Sequence, residues 1–150
     1  LIAALCLIFS SVIHESYQSI VINFFWAIIS LLLILGFELS KIPVSKKLFY
    51  VLFCSLISIL IFSFFLTSYI NFSLLGWSSS LVFCFSYLLF CSNKFSLRSY
   101  FLCNGYAAIA LLPQLWIDNN LPVFYLEIIW ALISVYGFIF HQSKTTHLLE

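Results

Sequence analysis

Charge is what this sequence has least of. Only 7% of its residues are charged, while 64% are hydrophobic, and the mean hydropathy is +1.17. A water-soluble domain carries charge on about a quarter of its residues, so this chain cannot coat a globule in polar surface. The bilayer is the solvent that suits it. The six basic residues are too few for a nucleic-acid footprint, so nucleic acid is excluded as a partner. The five cysteines, Cys6, Cys54, Cys84, Cys91 and Cys103, include no C-x-x-C pair. They read as small apolar side chains rather than as metal ligands or a disulfide framework. Nothing near Leu1 resembles a basic segment followed by a cleavage site, so no cleaved signal peptide is expected. The short first apolar run, with Leu1 at its head, is expected to begin inside a helix of a longer protein.

The apolar runs are continuous rather than alternating. That excludes a membrane β-barrel and leaves helices, whose backbone groups are satisfied within each span. A hydrocarbon core needs roughly 20 apolar residues per helix. The expected spans are a partial helix over Leu1–Ile13, then Ile20–Phe37, Leu48–Ile70, Leu74–Phe90, Tyr100–Ile117 and Val123–Phe140. Pro43 breaks the loop from Glu38 to Lys47, Pro122 suits a first helical turn, and a polar tail is expected from His141. Alternating the loops puts Lys41, Lys46, Lys47, Lys94, Arg98 and Lys144 on one side. Glu15 and Asp118 fall on the other, without Lys or Arg. By the positive-inside rule the basic side and the C-terminus are cytoplasmic. Tyr17, Tyr69, Trp77 and Trp116 fall near helix ends, where amphipathic rings favour the interface.

One shift of 104 residues aligns the start of the chain with its end. It sets Trp26 on Trp130, Ala27 on Ala131, Ile29 on Ile133, Ser30 on Ser134, and Ala3-Ala4 on Ala107-Ala108. We read this as an internal duplication. Both Trp helices would run in the same direction, making the repeats parallel. The expected fold class is all-α and polytopic, with two parallel three-helix repeats joined by one extra transmembrane helix. Residues 1–38 would be the first repeat, truncated at its N-terminus, residues 48–70 the linking helix, and residues 74–141 the second repeat. Parallel repeats occur among transporters, including the SWEETs.

The second copy carries Asn104 with Ala107-Ala108, then Pro122, Glu127, Trp130, Ile133, Ser134, Tyr136 and Gly137. This Pro-x4-Glu-x-x-Trp-x-x-Ile-Ser-x-Tyr-Gly pattern resembles a family of uncharacterised small bacterial integral-membrane domains, whose fourth-helix aromatic Tyr87 would match. The resemblance implies a three-helix unit in a bacterial inner membrane. The first copy departs from it, with Gln18 in place of the Pro and Asn23 in place of the Glu. The three-one-three layout looks like the SWEET and PQ-loop transporters, whose bundles enclose a central substrate path. Pro113-Gln114 spells PQ, though on the second helix of its unit rather than the first.

Glu127 is the sharpest chemical feature. It lies five residues past Pro122, roughly 8 Å into its helix at 1.5 Å per residue. A charge at the membrane centre costs about 2.5–3.5 kcal/mol on insertion scales, so such groups face a bundle interior or a wet cavity. Glu127, Trp130 and Ser134 share one helix face, as do Asn23, Trp26 and Ser30. The candidate substrate-binding residues are Asn23, Trp26, Asn104, Glu127 and Trp130. The same groups could instead be interhelical hydrogen bonds that fix packing. Asn104 and Gln114 can point inward as structural glue, and His14, His141 and His147 are expected to be solvated. No nucleophile-base arrangement, metal-ligand spacing or phosphate loop is present, so no enzyme, metal or cofactor is expected. Two readings remain open. One is a transporter of a small polar solute by alternating access, with protons as a coupling partner. The other is a non-transporting structural or assembly module. A polar cavity between the repeats separates them.

Overall fold

The computed structural model describes residues 1–146. Among these residues the protein is all-helical, with α1 (Ile2–Ile13), α2 (Tyr17–Ile34), α3 (Lys46–Thr67), α4 (Phe72–Cys91), α5 (Leu97–Ile117) and α6 (Leu121–Thr146). A single 3-10 turn spans Leu39–Lys41. Five helices are long and apolar enough to cross a membrane: α2, α3, α4, α5 and α6 over Leu121–Phe140. α1, with 12 residues, is shorter.

The helix ends lie where local hydrogen bonding puts them, several residues from where hydropathy drops. Ser45 Oγ, Asn71 Oδ1 and Ser96 Oγ accept from the backbone N–H of Leu48, Leu74 and Ser99. These caps satisfy amides that a helix start leaves open, so α3, α4 and α5 begin ahead of their apolar runs. α2 stops at Ile34 rather than Phe37. Gly36 takes φ 74°, and Phe37 N donates to Leu32 O at 2.9 Å while Gly36 N donates to Leu33 O at 3.0 Å. That is the paired closure of a left-handed C-terminus, for which glycine has no steric penalty. α6 continues through the expected tail to Thr146. The side chains of His141 and Lys144, and residues 147–150 including His147, lie outside the described residues.

α4 and α5 form the middle of the bundle. Gly76, Ser78, Ser79 and Ser80 on α4, and Gly105, Ala107 and Ala108 on α5, are small and buried. Small residues let helices approach closely where lipid supplies no hydrophobic drive. Ser79 Oγ uses the approach to donate to Ala107 O at 2.7 Å. α6 packs on α5 and α2 packs on α4, while α1 pairs with α2 and touches α6. α3 packs against α4 and is otherwise exposed. Its inner edge is aromatic, with Phe53 edge-on to Tyr106 at 5.5 Å.

The two ends of the bundle differ in charge. At one end Lys94 Nζ donates to Val44 O, and the Arg98 guanidinium lies 4.7 Å from the Phe138 ring. The α2–α3 and α4–α5 loops, with Lys41, Lys46, Lys47, Lys94 and Arg98, share that end. The α1–α2 and α5–α6 turns and the α3–α4 connection share the other, where Gln18 Nε2 donates to Ser73 Oγ at 3.1 Å.

The turns at that end have the same backbone construction. His14, Glu15 and Ser16 donate to Ser10, Val12 and Ser11, and Ile20 donates to Ser16. Asp118, Asn119 and Asn120 donate to Gln114, Trp116 and Leu115, and Phe124 donates to Asn120. Each donor and acceptor in the second set lies 104 positions after its counterpart. The closure itself recurs at Asn93. What distinguishes these two turns is that a single residue, Ser16 or Asn120, ends one helix motif and caps the next.

Candidate functional site

The turns also meet each other. Ser16 Oγ donates to Asp118 Oδ2 at 2.7 Å. Asn120 Nδ2 donates to Ser11 Oγ at 3.2 Å, and Ser10 Oγ donates to Asn120 Oδ1 at 3.2 Å. Asp118 is held further by Gln114 Nε2 at 2.6 Å. Ser11, Ser16, Ser19 and Asn120 are fully buried. We call this cluster the latch.

Hydroxyl protons can be followed through it. Ser11 Oγ lies 2.7 Å from Leu7 O, a carbonyl that only accepts, so Ser11 spends its proton there. Ser19 Oγ, 2.7 Å from Ser11 Oγ, must then be the donor of that pair. Asn23 Nδ2 in turn donates to Ser19 O at 2.9 Å and to Ser19 Oγ at 3.2 Å. The carboxamide of Asn23 is thereby held with its nitrogen toward the latch and its oxygen free.

Directly beyond Asn23 lies a cavity of about 380 Å³. All five residues singled out from the sequence line it: Asn23, Trp26, Asn104, Glu127 and Trp130. Three helices position them. Asn23 and Trp26 lie one turn apart on α2, Glu127 and Trp130 one turn apart on α6, and Asn104 comes from α5. The N-terminal half of α1 supplies the small side chains Ala3 and Ala4. The cavity extends from the Asn23–Glu127 level toward the basic end, where Ser30, Tyr87 and Tyr100 join the wall. Among the described residues, no Lys, Arg or His lines it.

Two of its polar groups are incompletely paired. Asn104 Nδ2 donates to Ser134 Oγ at 3.3 Å, while Asn104 Oδ1 and Glu127 Oε2 are buried with no hydrogen-bond partner among the described residues. Asn104 and Glu127 are only 3% and 4% exposed. A buried polar atom left unpaired costs about 1–3 kcal/mol, and more when charged. Both residues line the cavity, and among the described residues neither atom is paired within the bundle.

The aromatic residues form a wall. Trp26 meets Tyr87 edge-on at 4.7 Å, and Tyr87 lies 6.2 Å from Tyr100. Trp130, 38% exposed, stands on the α6 side. A second, polar cavity of about 530 Å³ lies beyond the latch, at the turn end of the bundle. His14, Glu15, Gln18, Ser73, Gln114 and Asp118 are among its lining residues.

The candidates from the sequence therefore come together, with two differences. Ser134 shares the Glu127–Trp130 helix face, yet it bonds to Asn104 and stays out of the cavity wall, whereas its counterpart Ser30 lines it. Gln114 turns to Asp118 and the outer cavity. Tyr100 and the latch residues Ser11, Ser16, Ser19 and Asn120 were not singled out. Their signal in the sequence was small polar residues inside or at the edge of apolar runs, which loops and packing account for equally well. Among the described residues, no group of three His, Cys, Asp or Glu side chains is placed to hold a metal ion.

Residues 72–144 match the model of a protein family of unknown function, a stretch covering α4, α5 and most of α6. No curated protein and no solved structure matches the chain.

Proposed function

We propose that this helical membrane protein is a transporter that carries a small polar solute by alternating access between two parallel repeats. The first repeat contains the α1–α2 hairpin, the second is α4–α6, and α3 is the helix that joins them in the same orientation. The observation that carries this reading is the cavity between the two hairpins, which holds unpaired buried polar atoms and stops at a hydrogen-bonded latch. A structural or assembly module has no need of about 380 Å³ of space around an unpaired carboxyl group and amide.

The latch separates an inner cavity at the basic end from an outer one at the turn end. By the positive-inside rule the basic end is cytoplasmic, as in a bacterial inner membrane, so the conformation is inward-facing. Transport would exchange this state for one in which the latch parts and the Trp26–Trp130 end closes. Hydrogen bonds between membrane helices are worth about 0.6 kcal/mol on average. A latch of three such side-chain bonds is weak enough to open on the timescale of a transport cycle. Glu127 is the group through which a proton can couple to the solute, because it is the only acid among the described residues that line the inner cavity. No step requires covalent chemistry, a metal or a cofactor, and the protein is read as a non-enzyme.

The test is uptake by liposomes containing the purified protein. Labelled sugars, amino acids, nucleosides and amines are offered with and without a proton gradient. Saturable uptake above that of empty liposomes, reduced in Glu127→Gln, is the expected result. Absence of uptake for every class, under either gradient condition, would overturn the reading.

A further inference from the structure

We infer that the inner cavity binds an organic ammonium cation. This deepens the transport reading and rests on it for its biological sense.

The polar side chains along the cavity offer oxygen, Asn23 and Glu127 near the latch and Asn104 about two helix turns nearer the basic end, where it bonds Ser134. Asn23 has its N–H groups engaged by Ser19, so it offers Oδ1. Asn104 directs Nδ2 to Ser134 and keeps Oδ1 unpaired. Glu127 keeps Oε2 unpaired. A carboxylate accepts and does not donate, and an amide oxygen only accepts. The complement of Asn23 Oδ1 and the Glu127 carboxylate is a group that is all donor or all positive charge, with Asn104 Oδ1 a further acceptor along the cavity. Ammonium is such a group, and it neutralises Glu127 without a second protein charge.

The wall decides between an ammonium and a metal cation. A bare metal ion requires a close shell of oxygen ligands. Here the remaining wall is aromatic and apolar, and the space is large enough for several non-hydrogen atoms. Trp26, Tyr87, Tyr100 and Trp130 line it, and the face of an aromatic ring attracts a cation. Among the described residues, an anion meets one acid and no base. The route from the turn end is also suited to a cation. Among the described residues, the outer cavity carries Glu15 and Asp118 against one histidine, His14, with neither Lys nor Arg in its lining.

The test is equilibrium binding to the purified full chain in detergent. Trp77 and Trp116 lie outside the cavity, so replacing both by Phe leaves Trp26 and Trp130 as the fluorescent reporters. The probes are choline and n-butylammonium. The controls are dimethylbutanol (the neutral carbon isostere of choline), glucose and glutamate. The expected result is a saturable fluorescence change with at least one cation and an affinity at least about tenfold weaker for the isostere. Glu127→Gln should weaken cation binding by at least about tenfold and leave helicity intact. Should that variant fail to fold, Trp130→Leu at a part-exposed position, read through Trp26, should weaken choline more than its neutral isostere. Equal binding of choline and its isostere, or binding of glucose or glutamate without either cation, would overturn the inference. So would the absence of binding by both cations. Cation binding without uptake in liposomes would retire the transport reading and leave this inference standing. Uptake of a neutral solute without cation binding would do the reverse.

Discussion

Glu15 and Asn119, which are 104 positions apart, hold the same left-handed backbone conformation, with φ 52° and 56°. Each sits at the equivalent point of a turn, with the next helix beginning two residues later, at Tyr17 and at Leu121. The conformation is costly for a side chain with a Cβ, and asparagine adopts it far more readily than glutamate. The first turn therefore stores strain that the second largely avoids.

Glu15→Asn is expected to stabilise the protein by up to about 1 kcal/mol, since it relieves the backbone and leaves the unfolded chain's freedom nearly unchanged. Asn119→Ala is expected to destabilise it by a similar amount. Thermal unfolding in detergent, followed by circular dichroism, reads both. A lower midpoint for Glu15→Asn would mean that the glutamate side chain contributes more than its backbone strain costs.

The grouping of Lys41, Lys46, Lys47, Lys94 and Arg98 at one end of the bundle sets the expected orientation. In a cysteine-free background, single cysteines at Ser40 and Tyr69, both exposed and at opposite ends, should react with a membrane-impermeant maleimide from opposite sides. Ser40→Cys should be protected in intact cells and Tyr69→Cys labelled. Labelling of both from one side would refute the alternating topology.

Asn120 joins the two hairpins through Ser10 and Ser11. Asn120→Ala removes both bonds and should cost about 1–2 kcal/mol, the range of two interhelical bonds in a membrane protein. Its more telling effect concerns access. A cysteine at Ile22, buried just inside the latch, should become labelled from the turn end in the Asn120→Ala background. An unchanged labelling rate would show that the latch does not control entry from that side.

The sequence was most legible where one physical requirement acted alone. The bilayer demands long apolar runs, so the five membrane-length helices could be read from hydropathy. Their ends could not, because caps such as Ser45, Asn71 and Ser96 are small polar residues that hydropathy assigns to loops. Gly36 closes α2 early for a backbone reason that a hydrophobic average does not register. The cavity wall was legible through Glu127, an acid too costly in a membrane to face lipid, and through Asn23 and Trp26 at matching spacing. Ser11, Ser19 and Asn120 were not, since a serine or asparagine in a helix can bond its own backbone. Only the approach of two distant turns shows what these three do.

Glu127 permits the strictest separation of roles. As a packing group, it would be expected to have its oxygens paired, and substitution would disturb the bundle. Its Oε2 is instead buried without a partner among the described residues, so it contributes little to holding α6 in place. Glu127→Leu removes an unpaired polar group and should leave stability unchanged or raise it by about 1–3 kcal/mol. Glu127→Gln keeps the shape and one acceptor, adds a donor and removes the ability to ionise. It should fold normally, lose cation binding, and make any remaining uptake insensitive to a proton gradient. The measurement compares thermal midpoints, choline binding and uptake across the two variants. A large loss of stability in both would return Glu127 to the packing of the bundle. Full stability, with proton-coupled uptake surviving in Glu127→Gln, would place the coupling elsewhere. Only the combination of a stable Glu127→Leu and an uncoupled Glu127→Gln assigns the carboxyl group to transport.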